Sequence, residues 1–277
     1  MSRLGAVSLL SLSLVVAASV TPANASPGAT PTGSAGGSYV AIGDSFTSGQ
    51  GAAPYLDFDC FQSVSGSYPT ITANSSSYRE ALNFACSGER TDQMLARVAK
   101  IDDRVKLKAS LVTLTVGGID AGSNDVLAAC GINPASFECA SAVNTATKKL
   151  GTVGVTLVGT YTAIAAEFPK ARIVVLNYPL LFDSNLPSPL PPELMVAVNR
   201  ATGALNGVIS NAVAATDNPR VSFTDVTDEF NGHAINSAVP YISFNGLGDL
   251  ASFHPNVLGN TAGYAAALRT DGAVRGR

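Results

Sequence analysis

The sequence predicts an α/β domain with three layers, in which a parallel sheet lies between two layers of helices. Short apolar segments alternate along the chain with longer segments of helical character, and this alternation is typical of parallel strands joined by crossover helices. The predicted strands are apolar at most positions, as expected for strands that are covered on both faces. The length of 277 residues is sufficient for one large domain with a substantial core.

Four segments are predicted as strands because each is short, apolar or β-branched, and followed by glycine or polar residues. These segments are residues 38–42, 111–116, 172–176 and 221–226. Four longer segments are predicted as helices, namely residues 91–106, 142–168, 191–215 and 255–268. Residues 231–252 are rich in Gly, Asn and Ser, which predicts a long surface loop.

The first 37 residues are predicted to lie outside the folded domain. An apolar run follows Arg3, and Ala23 and Ala25 form the small-x-small pattern of a signal-peptide cleavage site. The alternative, an uncleaved membrane anchor, is disfavoured because the run is short and rich in serine. We therefore expect a signal peptide over residues 1–25, a flexible leader over 26–37 and one folded domain over 38–277. The mature protein is expected to be secreted, extracellular and without stable membrane insertion.

The composition excludes several classes of protein. Hydrophobic residues make up 46% of the chain and the formal net charge is only -3, which argues against intrinsic disorder. The sequence contains no run of Lys or Arg, so it gives no indication of nucleic acid or anionic lipid as a partner.

Four cysteines are present, and in an oxidising compartment an even number favours disulfides. Three pairings are possible, and we favour Cys60–Cys86 and Cys130–Cys139 because these cysteines are neighbours in sequence. No C-x-x-C motif occurs, and neither histidine lies at ligand spacing from the cysteines. We therefore expect no metal site.

The loop after the first predicted strand contains a candidate nucleophile. Residues 43–49 read Gly-Asp-Ser-Phe-Thr-Ser-Gly, and ligands bind beyond the carboxyl ends of parallel strands. A phosphate-binding loop is disfavoured because the G-x-x-x-x-G-K-[ST] motif is absent. Two interpretations remain open: a simple Gly/Ser turn, or a nucleophilic Ser45 at a helix start, where its backbone N–H would face an acyl oxygen.

A serine nucleophile requires a base, and the sequence contains two histidines, His233 and His254. His254 immediately precedes Pro255, which is expected to begin the last helix. His233 lies in the predicted long loop, away from any strand end. The pattern favours His254 as the base, and a role without chemistry is the alternative for either histidine.

Four segments together resemble the sequence blocks of the SGNH/GDSL hydrolases. Residues 41–49 (AIGDSFTSG) resemble the first block, and residues 83–88 (NFACSG) resemble the second. Residues 113–118 (TLTVGG) resemble the approach to the third block, and residues 252–255 (SFHP) resemble the fifth. The blocks occur in the family's order across nearly the whole mature chain. The pattern is most similar to secreted actinobacterial lipases and esterases of this family.

The resemblance implies a flavodoxin-like three-layer fold and a role for each matching residue. Ser45 would attack an ester carbonyl, and His254 would take the proton and later return it. The backbone N–H groups of Ser45 and Gly88 would bind the oxyanion. The cysteines at 60, 86, 130 and 139 occupy the positions that are usual in this group, and the resemblance implies neither a metal nor a cofactor.

The sequence departs from the family pattern in the oxyanion hole. The third block of the family reads Gly-Gly-Asn-Asp, with the asparagine as a third donor, whereas residues 117–120 read Gly-Gly-Ile-Asp. Ile119 has no side-chain donor. Asn124, in the partial match Gly-Ser-Asn-Asp at residues 122–125, is the candidate replacement.

A second departure concerns the group that orients the histidine. Many family members have Asp three residues before the histidine, where this chain has Ala251. The resemblance to secreted members that use a backbone carbonyl favours the carbonyl of Ala251. The side chain of Asp249 is the alternative.

Three functions remain open. The favoured one is a secreted serine ester hydrolase, a lipase or esterase, that acts as a monomer on a lipid or small-molecule ester. The second is an esterase that removes O-acetyl groups from polysaccharide. The third is a binding protein with weakened catalysis, for which Ile119 is the main argument.

Overall fold

The computed structural model describes residues 37–78, 80–188 and 190–276. The predicted signal peptide at residues 1–25, and the predicted leader apart from Gly37, lie outside the described residues. Among the described residues, no helix is long and apolar enough to cross a membrane.

A five-stranded parallel sheet forms the centre of the domain, with the strand order β2-β1-β3-β4-β5. The strands are β1 (Ser38–Gly43), β2 (Ala81–Asn83), β3 (Ala109–Thr115), β4 (Arg172–Leu176) and β5 (Val221–Thr224). This is the flavodoxin-like order, in which successive strands are added on opposite sides of β1, so that the strand order reverses between β1 and β3. The predicted three-layer α/β class is confirmed, and the reversal places the carboxyl ends of β1 and β3 side by side.

The helices divide between the two faces of the sheet. They are α1 (Ser45–Ser48), α2 (Tyr68–Asn74), α3 (Thr91–Val98), α4 (Asp103–Lys108), α5 (Gly118–Ala121), α6 (Ser123–Ile132), α7 (Phe137–Glu167), α8 (Pro192–Ala215) and α9 (Thr227–Phe230). A π-helical turn at Gly259–Tyr264 continues into α10 (Ala265–Thr270). Helices α3, α7 and α8 cover one face, while α2, α9 and α10 cover the other.

The apolar side chains of β1 alternate between the two faces of the sheet, which explains why helices cover both faces. Val40 and Ile42 belong to the cluster beneath α3, α7 and α8, whereas Tyr39 and Ala41 belong to the opposite cluster. Successive side chains of a strand point to opposite faces, and all four are at most 1% exposed. The strand is therefore apolar at consecutive positions, as the sequence predicted.

Several predicted boundaries are wrong. The single helix predicted over residues 91–106 is two helices, α3 and α4. Helix α7 begins five residues before the predicted start, because Ser136 caps it by accepting a hydrogen bond from the backbone N–H of Cys139. Strand β2 was not predicted at all, since three half-buried residues at the sheet edge are too few to show a period.

Both predicted disulfides are present. Cys60–Cys86 joins the loop before α2 to the segment after β2, and Cys130–Cys139 joins α6 to the first turn of α7. The first bridge ends two residues before Gly88, at the edge of the sheet where β1 and β3 end. This bridge therefore bears directly on the position of the segment that resembles the second family block.

Candidate active site

Ser45 lies at the first position of α1, immediately beyond the carboxyl end of β1. The chain turns at Gly43, whose φ is 129°, and a Cβ atom at that position would lie 2.3 Å from the carbonyl oxygen of Thr115. Only glycine allows this approach. Asp44 then caps α1 by accepting a hydrogen bond from the backbone N–H of Phe46 at 3.1 Å. The turn and the cap fix where the Ser45 side chain points.

The carboxylate of Asp44 also joins this turn to neighbouring segments by hydrogen bonds. It accepts hydrogen bonds from the hydroxyl of Thr115 at 2.7 Å and from that of Tyr178 at 2.5 Å. Burial raises the pKa of Asp44 to about 6, and these hydrogen bonds act in the opposite direction. The carboxylate is thus a buried structural anchor for the Ser45 turn, with donors on β3 and beyond β4.

His254 contacts the candidate nucleophile directly. Its Nε2 lies 2.9 Å from Ser45 Oγ, and its Nδ1 lies 2.9 Å from the carbonyl oxygen of Ser252. With Nδ1–H donating to that carbonyl, Nε2 is left as the acceptor for the Ser45 hydroxyl. Two residues separated by 209 positions in sequence therefore meet in the geometry of a nucleophile and its base.

The expectation that the Ala251 carbonyl orients the imidazole is wrong. That carbonyl accepts the backbone N–H of His254, which closes a tight turn, and Phe253 within this turn has a φ of 65°. The turn rotates the Ser252 carbonyl toward the ring instead. The alternative is also wrong, because Asp249 accepts hydrogen bonds from the backbone of Ala251 and not from the imidazole.

The surroundings of the imidazole keep it neutral. Its ring centroid lies 5.4 Å from that of Phe46, and Gly51 packs against its Cβ. Burial lowers the pKa of His254 to about 4, and the hydrogen bond to the Ser252 carbonyl only partly opposes this. At neutral pH the ring is therefore a free base that is able to accept a proton.

We expect the pH profile of kcat/KM to reflect this low pKa. The active form is the neutral imidazole, so activity stays constant as pH falls from 8 to 6 and is half lost near pH 4, the pKa of about 4 for His254. Initial rates with a soluble ester between pH 3.5 and 8 measure the profile. A loss of activity centred near pH 6 would contradict the assignment and would point to Asp44, whose pKa is about 6.

Gly88 lies in a turn beside Ser45 and has a φ of 77°. The backbone N–H of Ser87 donates to the Cys60 carbonyl at 3.1 Å, and that of Cys86 donates to the Gly43 carbonyl at 2.9 Å. Within the described residues, no hydrogen bond is formed by the backbone N–H of Ser45 or of Gly88. Both N–H groups remain available to a ligand in the cavity that they line.

Ile119 and Asn124 line the same cavity. Ile119 is half-buried in α5, beside Gly118, whose backbone N–H donates to the Tyr178 hydroxyl at 3.2 Å. Asn124 lies in the first turn of α6, is exposed, and has no side-chain hydrogen bond within the described part of the chain. Its role as a third oxyanion donor remains a prediction.

Two supporting contacts were missed by sequence reasoning. Gln50 is buried, donates from Nε2 to the Leu250 carbonyl at 2.5 Å, and accepts a hydrogen bond from the Ser87 hydroxyl. It therefore ties the segment that carries Gly88 to the loop that carries His254. Asp120 accepts hydrogen bonds from the backbone and hydroxyl of Thr91, which fixes the start of α3. Both contacts join distant segments, and no local pattern reveals them.

The cavity beside Ser45 has a volume of about 440 Å³. It is lined by Ser45, Gly88 and His254 and by residues of helices α6, α7 and α8. Its walls away from Ser45 are mostly aliphatic, with the side chains of Val126, Leu127, Val143, Leu150, Leu181, Val198 and Leu205. Thr147 on α7 and Thr202 on α8 also line it. Such a mostly aliphatic cavity beside Ser45 and His254 suits a ligand with one reactive polar group and an apolar chain.

His233 does not line this cavity. Its ring stacks on Tyr241 with the centroids 3.7 Å apart, and its Nδ1 is bonded to the Val239 carbonyl at 2.8 Å. Of the two histidines, the structure brings only His254 to Ser45. Among the described residues, no cluster of His, Cys, Asp or Glu is arranged to hold a metal ion.

Comparison with known proteins identifies related chains. The model of the GDSL-like Lipase/Acylhydrolase family matches residues 41–262. The chain belongs to this family. Lipase 1 of Streptomyces coelicolor is 33% identical over 265 residues, which is 94% of this chain and 95% of that protein.

Two solved structures of the family are similar over their full length. An extracellular lipase from Streptomyces rimosus superposes with a TM-score of 0.75 and 31% identity, covering 84% of this chain and 99% of that one. A phospholipase A1 from Streptomyces albidoflavus gives a TM-score of 0.76 and 33% identity, covering 85% and 99%. This GDSL family member is a carboxylic ester hydrolase of the lipase and esterase type.

Proposed function

We propose that this hydrolase uses Ser45 as nucleophile and His254 as general base on esters with medium or long acyl chains. The observation that carries the proposal is the 2.9 Å contact between Ser45 Oγ and His254 Nε2, two residues that line a largely aliphatic cavity. The contact supports the chemistry, and the lining of the cavity supports the type of substrate.

In the first half of the reaction, His254 Nε2 takes the hydroxyl proton as Ser45 Oγ attacks the ester carbonyl carbon. The backbone N–H groups of Ser45 and Gly88 donate to the oxyanion that forms. The tetrahedral intermediate collapses when His254 gives the proton to the leaving alcohol oxygen. Ser45 is then esterified by the acyl group.

In the second half, water replaces the alcohol. His254 accepts a proton from a water molecule as the water oxygen attacks the acyl carbon. It gives this proton to Ser45 Oγ when the bond between Ser45 and the acyl group breaks and the fatty acid leaves. The imidazolium formed in each half donates from Nδ1 to the Ser252 carbonyl. A neutral carbonyl stabilises that charge less than a carboxylate would, so the proposed pair is a weaker base system than one with an aspartate.

The preference for longer acyl chains rests on the cavity. Apolar surface that leaves water contributes up to roughly 0.8 kcal/mol per methylene group. An acyl chain in this cavity would contact aliphatic side chains of the lining, among them Val143, Val198 and Leu205. An acetyl group is too short to make these contacts. The proposed enzyme should therefore prefer longer acyl chains, whereas an O-acetyl esterase would prefer acetyl.

A series of nitrophenyl esters from acetyl to dodecanoyl, kept below their solubility limits, tests this proposal. We expect kcat/KM to rise from acetyl to about octanoyl, by about twofold to fourfold per methylene while the chain is still entering the cavity. Val198→Phe fills part of the cavity and is expected to remove this rise while leaving acetyl turnover within about twofold. Highest kcat/KM for acetyl, together with release of acetate from acetylated xylan, would support the polysaccharide esterase instead.

We also propose that the protein is secreted and acts as a monomer. The predicted signal peptide at residues 1–25, the predicted leader at 26–37 and the two disulfides support export to an oxidising compartment. The catalytic domain would then begin near residue 38.

A further inference from the structure

Tyr178 lies just beyond the carboxyl end of β4 and is buried, with only 6% of its surface exposed. It lines the same cavity as Ser45. A buried phenol hydroxyl needs hydrogen-bond partners, and the partners of this one belong to segments that carry candidate catalytic residues.

The Tyr178 hydroxyl bridges two of these segments. It donates its one proton to the Asp44 carboxylate at 2.5 Å and accepts the backbone N–H of Gly118 at 3.2 Å. Asp44 caps the helix that begins with Ser45. Gly118 precedes Ile119, which occupies the position where the family pattern has asparagine. The phenol therefore joins the Ser45 turn to the loop after β3.

The phenol keeps its proton and remains a donor to Asp44. Burial and the negative charge of Asp44 raise the pKa of Tyr178 well above its usual value. The pKa of Asp44 is about 6, so above that pH its carboxylate is mostly ionised and accepts the bond. Hydrogen bonds to an ionised acceptor are among the stronger ones in proteins.

The ring of Tyr178 contacts the nucleophile helix as well. It packs edge to face on Phe46 with the ring centroids 5.0 Å apart, and the ring of Phe46 lies 5.4 Å from that of His254. Phe46 follows Ser45 in α1. The ring contact therefore restrains the helix that carries the nucleophile and the aromatic neighbour of the base.

Helix α8 holds the backbone of Tyr178 in place. The Asn206 side chain accepts the backbone N–H of Tyr178 at 3.1 Å and donates to its carbonyl oxygen at 2.7 Å. Asn206 is buried, and its neighbour Leu205 lines the cavity. Because both groups of the amide are paired with one residue, the point from which the phenol projects is fixed.

We infer that Tyr178 is a positioning residue for ester hydrolysis, whose hydroxyl holds the Ser45 turn and the loop after β3 at the separation that the tetrahedral intermediate requires. The inference rests on the proposed function for its chemistry. Tyr178 acts through Asp44 and Gly118 and takes no part in the proton transfer, because its hydroxyl proton is donated to Asp44.

Tyr178→Phe removes the hydroxyl and keeps the ring. We expect kcat for a soluble butyrate ester to fall by on the order of 10–10²-fold and KM to stay within about twofold, because the reacting atoms lose their alignment while the lining of the cavity changes little. Inactivation by a small fluorophosphonate should slow by a similar factor, since it also uses Ser45 but needs no acyl chain.

Tyr39→Phe is the matched control. It also removes a fully buried phenol hydroxyl from a hydrogen bond, in this case with Thr113 at 2.8 Å. Tyr39 packs in the cluster on the face of the sheet opposite to that of Tyr178. We expect the midpoint of thermal unfolding to fall in both variants, and kcat of Tyr39→Phe to stay within about twofold. Equal losses of kcat in the two variants would reflect stability alone and would overturn the inference.

Asp44→Ser changes the same hydrogen bond from its other end, and it decides the question if Tyr178→Phe does not fold. Serine also caps helices, but its side chain is too short to reach the Tyr178 hydroxyl. We expect a loss of kcat with KM unchanged, and a double variant close in kcat to the slower single variant. An unchanged kcat in Asp44→Ser, or multiplicative losses in the double variant, would overturn the path through Asp44.

The outcomes of this inference and of the proposed function are distinguishable. An unchanged kcat in Tyr178→Phe, or a rise in KM without a loss of kcat, would overturn the positioning role and leave the Ser45 chemistry intact. Failure of the natural protein to hydrolyse the butyrate ester, or a fluorophosphonate adduct that persists in Ser45→Ala, would instead overturn the proposed function.

Discussion

Ser45→Ala is expected to reduce kcat for a soluble ester by a factor on the order of 10⁴ or more, because no other group can form the acyl-enzyme. Its Oγ lies 2.9 Å from His254 Nε2, and both residues line the cavity. Removing the hydroxyl leaves the turn at Gly43 and the cap at Asp44 intact, since neither uses Ser45 Oγ. The loss is therefore expected without a change in the midpoint of thermal unfolding.

The same variant tests covalent chemistry directly. A fluorophosphonate should add one adduct to the natural protein, located by mass spectrometry on the peptide that contains Ser45, and none to Ser45→Ala. Ser48→Ala is the matched control, because Ser48 lies on the same short helix and its hydroxyl donates only to the Ser45 carbonyl. An adduct that persists in Ser45→Ala would show that a different residue is the nucleophile.

The effects of removing Ser45 and His254 should not be additive. His254→Ala is expected to lower kcat by nearly as much as Ser45→Ala, and the double variant should be no slower than the slower single variant, because each removal disables the same proton transfer. Multiplicative losses in the double variant would contradict direct cooperation between the two side chains.

The positions at the site that the sequence predicted and the structure shows come from local patterns. Residues 38–43 are a buried strand followed by glycine and a capping aspartate, so the end of β1 and the position of Ser45 are visible in one short stretch. His254 is predicted as the base because the sequence contains two histidines and because Pro255 follows His254. The disulfides followed from sequence proximity and from the positions of the cysteines in the family pattern.

The features that sequence reasoning missed depend on long-range packing or on a single backbone angle. The acceptor for His254 Nδ1 is the Ser252 carbonyl and not that of Ala251, and this depends on the positive φ of Phe253, a residue type that rarely adopts it. The Gln50 contact joins segments 37 and 200 residues away from it. Neither feature leaves a periodic or compositional trace.

Ile119→Asn is expected to increase kcat, by about 10²–10³-fold if the new amide reaches the oxyanion as a full donor. In this chain the two backbone N–H groups of Ser45 and Gly88 would act alone, since Ile119 presents only carbon atoms to the cavity. Asparagine is smaller than isoleucine, so the half-buried site can accept it without overpacking. Steady-state kinetics with a soluble ester, with KM expected to change little, measure the gain.

Asn124→Ala provides the matched comparison. Because Asn124 is exposed in the first turn of α6, we expect its loss to change kcat by less than about threefold. The opposite pair of results, a loss of about 10²-fold in Asn124→Ala and no gain in Ile119→Asn, would identify Asn124 as the third donor.

The Ile119→Asn result also separates a working esterase from a binding protein that retains the fold. If the natural protein forms the Ser45 adduct but turns over esters slowly, and Ile119→Asn restores fast turnover, then the aliphatic side chain alone accounts for the weakness. Ile119 would in that case extend the apolar wall of the cavity to the edge of the oxyanion hole. Its side chain would add apolar contact with the acyl chain and so favour substrate binding, while the oxyanion of the transition state would have one hydrogen-bond donor fewer. A natural protein that is already fast, and that gains nothing from the new amide, would show that the two backbone donors are sufficient in this cavity.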